Sequence, residues 1–230
     1  MTTRVIIPDL RYHKPNRKAQ KQLRASLKYL TYRDNREDAD HPEYADLSDR
    51  WHDRGLGDRW QDIEQACGQL KSRHVLAWSL VIGPDPQTFN QLPANEHENL
   101  LTSLTDQIVG EYYESRGLNI PEYSFVIHHA ATKETHIPYP HAHIILPGST
   151  PSGDESRRRP FYNNRDKGDL KRLHSISERA MTQLMEHELG HDWQTTRRLE
   201  IPVVADTELD LSDEAIENSA DEPTNTNRQR

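Results

Sequence analysis

The chain has 230 residues, of which 37 are acidic, 29 are basic and 33% are hydrophobic, so its formal net charge is −8. This length suits one sizeable domain with an appendage, and the single cysteine excludes a disulfide framework and favours a reducing compartment. No apolar run approaches the ~18 residues of a membrane span and the first residues lack a signal-peptide pattern, so we expect a soluble, cytoplasmic protein.

The first predicted elements are a strand from Thr3 to Pro8 and a helix from about Pro15 to Leu30. Apolar residues recur in the helix at the spacing of one buried face. Tyr29 lies beside this face, where its ring can pack while its hydroxyl stays accessible. The buried face is predicted to consist of Ala19, Leu23, Leu27 and Leu30.

A polar segment, residues 34–57, follows and predicts a loop with irregular structure. Within it, the stretch from Trp51 to Gly57 has aromatic and basic character. It fits either a contact with a substrate or a packed surface loop.

The middle of the chain predicts a central strand between two helices. His74–Ile82 is almost continuously apolar, which is typical of a strand covered on both faces, and Gly83-Pro84 is predicted to end it. The flanking helices are predicted at 58–71 and 95–116, with Gly117 closing the second one.

Histidines stand at the neighbouring ends of two further predicted strands. The first strand, Tyr123–His129, is rich in β-branched and aromatic residues and ends in histidine. The second begins with His141 and His143, which share one face of an extended segment about 7 Å apart. Antiparallel pairing would bring three imidazoles to one end of the sheet, as in a divalent metal site with open coordination positions. The residues predicted to face the core instead are Ala142, Ile144 and Leu146.

A turn-rich loop at 147–164, a helix from Asp166 to Leu189 and an acidic tail complete the chain. The tail at 203–230 has the composition of a disordered segment, so we place the folded domain at residues 1–202. The order of elements predicts an α+β fold with a single antiparallel sheet and helices packed on it.

Taken in order, these motifs resemble one known family. Leu27-Lys28-Tyr29-Leu30, a strand ending in His128, and Pro140-His141-Ala142-His143-Ile144-Ile145 are similar to the relaxases, the plasmid mobilisation nucleases among the His-hydrophobe-His endonucleases. The likeness continues in the helix containing Asp169–His174 and spans roughly residues 3 to 193. Relatives usually have His-x-Asp at the end of the first strand, whereas Ala130 stands at the Asp position here.

The third histidine ligand is His128, His129 or His136. The Tyr-x-x-x-x-His spacing of the first strand matches the family and favours His128.

The resemblance implies a sheet-centred fold and a reaction with single-stranded DNA at a transfer origin. Tyr29 is the expected nucleophile, and Tyr32, one turn later, is a second nucleophile or a packing neighbour. A divalent cation, Mg²⁺ or Mn²⁺, would be held by His128, His141 and His143. The product would be a 5′-phosphotyrosyl linkage that initiates conjugative transfer or mobilisation of a plasmid or integrative element. Accessory mobilisation or coupling proteins are the expected partners.

Charge is distributed unevenly along the chain. Residues 1–37 hold ten basic and three acidic residues, whereas residues 201–230 hold eight acidic and two basic ones. A second basic run follows the His-x-His strand. Because both basic runs flank the expected site, we expect them to contact DNA phosphates. The candidates are Lys18, Lys21, Arg24, Lys28, Arg33, Arg157, Arg158 and Arg159.

Other classes of protein share part of this pattern. Rolling-circle replication initiators and single-strand transposases share the His-x-His strand but carry the tyrosine on a later helix, and residues 166–189 contain none. A non-catalytic DNA-binding remnant is a further alternative, because the usual Asp is missing.

A zinc metalloprotease is the more distant alternative. His187-Glu188-Leu189-Gly190-His191 would place two ligands and a general base on one helix. Gln194 and Arg197 occupy the positions of the extended protease motif, which disfavours this interpretation.

Overall fold

A five-stranded antiparallel sheet lies between two layers of helices in the computed structural model, which describes residues 5–32, 50–129, 139–152, 157–161 and 168–194. The strands of this sheet, in the spatial order β1-β3-β5-β4-β2, are β1 (Ile6–His13), β2 (His52–Arg54), β3 (Ala77–Pro84), β4 (Tyr123–His128) and β5 (His141–Pro147). A separate pair of short strands consists of β6 (Ser149–Pro151) and β7 (Arg158–Pro160). The helices are α1 (Arg17–Tyr32), α2 (Trp60–Gln69), α3 (Pro86–Phe89), α4 (His97–Glu114) and α5 (Asp169–Leu189), and a 3-10 turn spans Ala94–Glu96. The α+β class with helices packed on one antiparallel sheet is confirmed.

Each face of the sheet has its own hydrophobic core. The core under α4 and α5 includes Ala142, Ile144 and Leu146 of β5, as the alternation of that strand predicts. The core under α1 and α2 includes Val126 of β4 and Ile145 of β5. Since His128, His141 and His143 stand at even spacings from these two residues, they belong to the face that α1 covers.

Helix α1 begins where an asparagine caps it. The backbone N–H of Ala19 donates to Oδ1 of Asn16 at 2.8 Å, which satisfies one of the amide groups left open at a helix start. The helix buries the predicted stripe and continues beyond Leu30 to Tyr32. Tyr29 and Tyr32 therefore share its last turn.

Several predicted boundaries differ because pairing partners extend the strands. The first strand runs to His13 rather than Pro8, since β3 pairs with it along its whole length. The central strand includes Gly83 and Pro84 instead of stopping before them, as these residues pair with Ile7 and Ile6.

Three short elements lie inside segments that were predicted as loops. They are β2 within 34–57 and the β6–β7 pair within 147–164. Helix α4 ends at Glu114, two residues before the predicted end, and Gly117 follows it with a positive φ of 65°. The tail at 203–230 lies outside the described residues. None of the helices in the described part of the chain is long and apolar enough to cross a membrane.

Candidate metal centre

Three histidines meet where β4 ends and β5 begins. The antiparallel register pairs His128 with His141 and Val126 with His143, so the three imidazoles share one end of the sheet. Their ring centroids are 4.9 to 5.6 Å apart. One nitrogen from each ring lies within 4.8 Å of the others.

Hydrogen bonds to backbone carbonyls define the tautomers of two of these rings. Nδ1 of His141 donates to the carbonyl of Tyr139 at 2.8 Å, which leaves the lone pair of this ring on Nε2. Nε2 of His128 donates to the carbonyl of Leu30 at 2.9 Å, which leaves its lone pair on Nδ1. Carbonyl partners of this kind orient metal-binding histidines in proteins.

This donor set fits a divalent cation. Metal–nitrogen bonds of about 2.0–2.1 Å require ligand nitrogens roughly 3 to 3.5 Å apart, so small rotations of rings already within 4.8 Å would close the site. His128 and His141 are buried and His143 is half-buried. Three protein ligands would leave coordination positions open for a substrate oxygen.

The structure groups only one of the three alternatives for the third ligand with the His-x-His pair. His128 lies in the group, whereas His129, the next residue, is exposed and lies outside it. His136 is outside the described residues.

Tyr139 packs directly on this centre. Its ring stacks on His141 with centroids 4.8 Å apart and planes inclined by 22°. Gly83 of β3 leaves the space that the tyrosine hydroxyl occupies. Burial, with a smaller effect from Asp85, raises the pKa of Tyr139. Its stacking on His141 and its close fit over Gly83 make it a packing residue of this centre. No spacing rule in the sequence indicates this role for Tyr139.

The last turn of α1 contacts the centre through its backbone. Leu30, whose carbonyl binds His128, lies between Tyr29 and Tyr32 in the sequence. Both tyrosines expose 41% of their surface. The structure thus brings the tyrosine-bearing turn and the histidine group together at Leu30. The Asp position of the family pattern, Ala130, is outside the described residues, and the Leu30 carbonyl is the acceptor that His128 uses.

The predicted basic residues fall into two groups. On α1, Lys18, Lys21, Arg24 and Lys28 are all exposed. Two of them contact α2: Nε of Arg24 donates to Glu64 at 2.9 Å, and Nζ of Lys28 lies 4.6 Å from the Trp60 ring centroid. Arg33 is outside the described residues.

The second basic group surrounds β7. Arg157 and Arg159 are exposed, whereas Arg158 is half-buried and makes a bidentate ion pair with Glu122. The hydrogen bonds from Arg158 lower the pKa of the Glu122 carboxyl. Arg158 therefore joins β7 to the sheet, and its guanidinium is already engaged.

The His-Glu-x-x-His sequence does not form a helical pair of ligands. Helix α5 ends at Leu189, and Gly190 has a positive φ of 87°, so His191 lies beyond the helix. The side chains of His187 and His191 are 82% and 91% exposed. Among the described residues, only the group at His128 brings three possible ligands together. The geometry that a zinc protease needs is absent from this motif.

Comparisons with known proteins identify the fold. No family model and no curated protein matches the chain. The metal-bound complex of the conjugative relaxase TrwC with oriT DNA superposes with a TM-score of 0.52 and 11% identity, over 79% of this chain and 70% of that one. TrwC complexed with a 27-mer DNA comprising the recognition hairpin and cleavage site gives a TM-score of 0.48 and 10% identity, over 79% and 69%. On the first of these likenesses, the protein has the relaxase fold.

Proposed function

We propose that this protein is a metal-dependent DNA relaxase that nicks and rejoins one DNA strand at a transfer origin. The observation that carries the proposal is the three-histidine group in contact with the tyrosine-bearing turn of α1. The relaxase fold adds support, because the protein with which it is shared is a conjugative relaxase in complex with oriT DNA. Initiation of conjugative transfer or mobilisation of a plasmid or integrative element is the corresponding role.

His128, His141 and His143 would hold the cation, with Mg²⁺ or Mn²⁺ as the working ions. Neutral imidazoles leave the full charge of a bound cation to polarise a phosphate oxygen of the DNA. The two backbone carbonyls that accept from His128 and His141 would hold these rings in the orientation needed for binding.

Tyr29 is proposed as the nucleophile. Its hydroxyl would give up its proton to water and the oxygen would form the bond to phosphorus. The bond from phosphorus to the 3′ oxygen would break, and that oxygen would take up a proton from water and leave as a 3′-hydroxyl. The phosphotyrosyl ester keeps the energy of the broken bond, so the reverse step can rejoin the strand. Tyr32 lies in the same turn and would act as a second nucleophile or a neighbour of the first.

Single-stranded DNA would be bound mainly through its phosphates. Exposed basic side chains on α1 and beside β7 would supply the positive charge, although the whole chain is acidic. Helix α1 ends beside the histidines, whereas β7 lies toward the opposite end of the sheet, where Arg158 contacts Glu122 just before β4. These side chains are Lys18, Lys21, Arg24, Lys28, Arg157 and Arg159, with Arg33 outside the described residues and Arg158 engaged with Glu122. Accessory mobilisation or coupling proteins would bring the relaxase to the origin.

The test is to trap the covalent adduct. The full chain is incubated with Mn²⁺ and labelled single-stranded oligonucleotides taken from the DNA next to the gene that encodes it. The DNA-linked peptide is then identified by mass spectrometry. Tyr29→Phe should abolish the adduct, because it removes only the attacking oxygen, while DNA binding persists. Tyr32→Phe should retain it.

Tyr12→Phe is the matched control. Tyr12 is 40% exposed, nearly as much as Tyr29, but it packs against Trp78 on the other face of the sheet. An adduct on Tyr12 or on the Tyr112–Tyr113 pair would contradict the proposed nucleophile. An adduct on Tyr162, outside the described residues, would indicate a replication initiator or transposase instead.

A further inference from the structure

A chain of hydrogen bonds joins the end of α1 to the segment that leads into β2. The indole Nε1 of Trp51 donates to the hydroxyl oxygen of Thr31 at 3.0 Å, and that hydroxyl donates to the carbonyl of Leu27 at 2.8 Å. Nη1 of Arg50 donates to the carbonyl of Thr31, also at 2.8 Å. Thr31 and Trp51 are both buried.

These bonds act on the same turn that His128 contacts. Carbonyls in the last turn of a helix have no partner within the helix. Here the carbonyl of Leu30 accepts from His128, and the next carbonyl, that of Thr31, accepts from Arg50. Two consecutive carbonyls are thus bound by side chains from different parts of the chain.

The sheet places His128 and the Arg50–Trp51 segment beside each other. β2 pairs with β4 in antiparallel register, with His52 opposite Phe125. Trp51 precedes His52 and so lies on the side of β2 that runs toward His128, the last residue of β4. The histidine group and the Arg50–Trp51 segment therefore hold the turn of Tyr29 and Tyr32 from one edge of the sheet.

We propose that Thr31, Trp51 and Arg50 are positioning residues that hold the last turn of α1 against His128. The Leu30 carbonyl is then kept where it selects the Nε2–H tautomer of His128, so that metal binding and placement of the tyrosines depend on one turn. None of the three side chains needs to touch metal or DNA. This inference rests on the proposed metal site.

The test measures metal binding by the full chain in the absence of DNA. Co²⁺ is titrated and followed by calorimetry, because imidazole ligands bind this ion well. Replacing a residue that directly orients a metal ligand weakens binding about 10- to 100-fold. Thr31 and Trp51 act on His128 only indirectly, through the turn that contains the Leu30 carbonyl. We therefore expect Thr31→Val and Trp51→Phe to weaken Co²⁺ binding by a smaller factor, about 5- to 10-fold. The double variant should be no weaker than the worse single one, because both act through the Thr31 hydroxyl.

The chain offers matched controls. Thr31→Ser keeps the hydroxyl and should retain wild-type affinity. Thr105 is a buried helical threonine and Trp78 a buried tryptophan, and among the described residues neither polar group has a hydrogen-bond partner. Thr105→Val and Trp78→Phe therefore repeat the same changes of side chain in the other core. They should leave Co²⁺ affinity unchanged even if they lower the melting temperature.

The possible results separate the inference from the function on which it rests. Unchanged affinity in Thr31→Val and Trp51→Phe overturns the inference and leaves the metal site intact. Equal losses in the two control variants also overturn it, because they indicate general destabilisation. If the wild-type chain binds no more Co²⁺ than His143→Ala, the metal site itself is wrong and the inference fails with it.

Discussion

Replacing Gly83 by alanine should weaken the metal centre without touching a ligand. A Cβ at this position would lie inside the van der Waals distance of the Tyr139 hydroxyl and 3.0 Å from Cζ of the same ring. The ring must therefore move. Because Tyr139 stacks on His141 at 4.8 Å and its carbonyl accepts from Nδ1 of that histidine, the movement reaches the ligand.

The magnitude follows from two effects. Forcing a methyl group into a packed interior costs about 1 to 3 kcal/mol in the free energy of unfolding. Loss of an aromatic stack costs about 0.5 to 1.5 kcal/mol. If the lost stacking energy destabilises only the metal-bound conformation, the affinity for the metal drops about 2- to 12-fold. Each ~1.4 kcal/mol corresponds to a factor of ten in affinity.

The assay combines urea unfolding with titration of Mn²⁺ or Co²⁺. Gly68→Ala is the control, because a Cβ there meets nothing within 4 Å inside α2, and alanine should stabilise the helix by about 0.5 to 1 kcal/mol. Adding Tyr139→Phe to Gly83→Ala removes the hydroxyl that clashes and should recover part of both losses. Wild-type stability and wild-type metal affinity in Gly83→Ala would refute the reasoning.

Three further predictions concern other parts of the chain. His141→Ala and His143→Ala should each abolish metal-dependent nicking with an unchanged circular dichroism spectrum, because the opposite face of β5 carries the packing; near-normal cleavage by both would contradict the metal assignment. Glu188→Ala should leave DNA cleavage within a few fold of wild type, since Glu188 belongs to no group of possible ligands in the described residues. A large loss in the adduct assay would show that this end of α5 contributes to DNA cleavage, contrary to the proposed site. Cys67 should resist thiol reagents in the native protein at pH 8, because burial raises the pKa of its thiol to about 12; rapid labelling in native buffer would show that α2 opens readily.

Local patterns in the sequence were sufficient for the main elements of the site. The period-two alternation of β5 put His141 and His143 on one face and Ala142 and Ile144 on the other. This works because a strand alternates its side chains whatever surrounds it. The apolar stripe of α1 was predicted for the same reason, with the period of a helix.

Boundaries were less accurate wherever a distant partner extended or created an element. β3 continues through Gly83 and Pro84 because β1 pairs with it, which outweighs the local tendency of these residues to end a strand. The three residues of β2 form a strand only because β4 provides an edge. A pattern confined to a few neighbouring residues contains no information on such partners.

The contacts that would tune the site were decided by the tertiary structure alone. His128 and Leu30, which share a hydrogen bond, are 98 residues apart in the sequence, and Trp51 and Thr31 are 20 residues apart. Any carbonyl can accept from any imidazole, so the residue types do not specify this pairing. The sequence by itself determined which side chains could bind a metal and on which face of the strand they lie. The register of β4 against β5 decided which histidine joined the pair, and the packing of α1 against the end of β4 decided which backbone group oriented it. Both outcomes depend on how elements far apart in the sequence pack together.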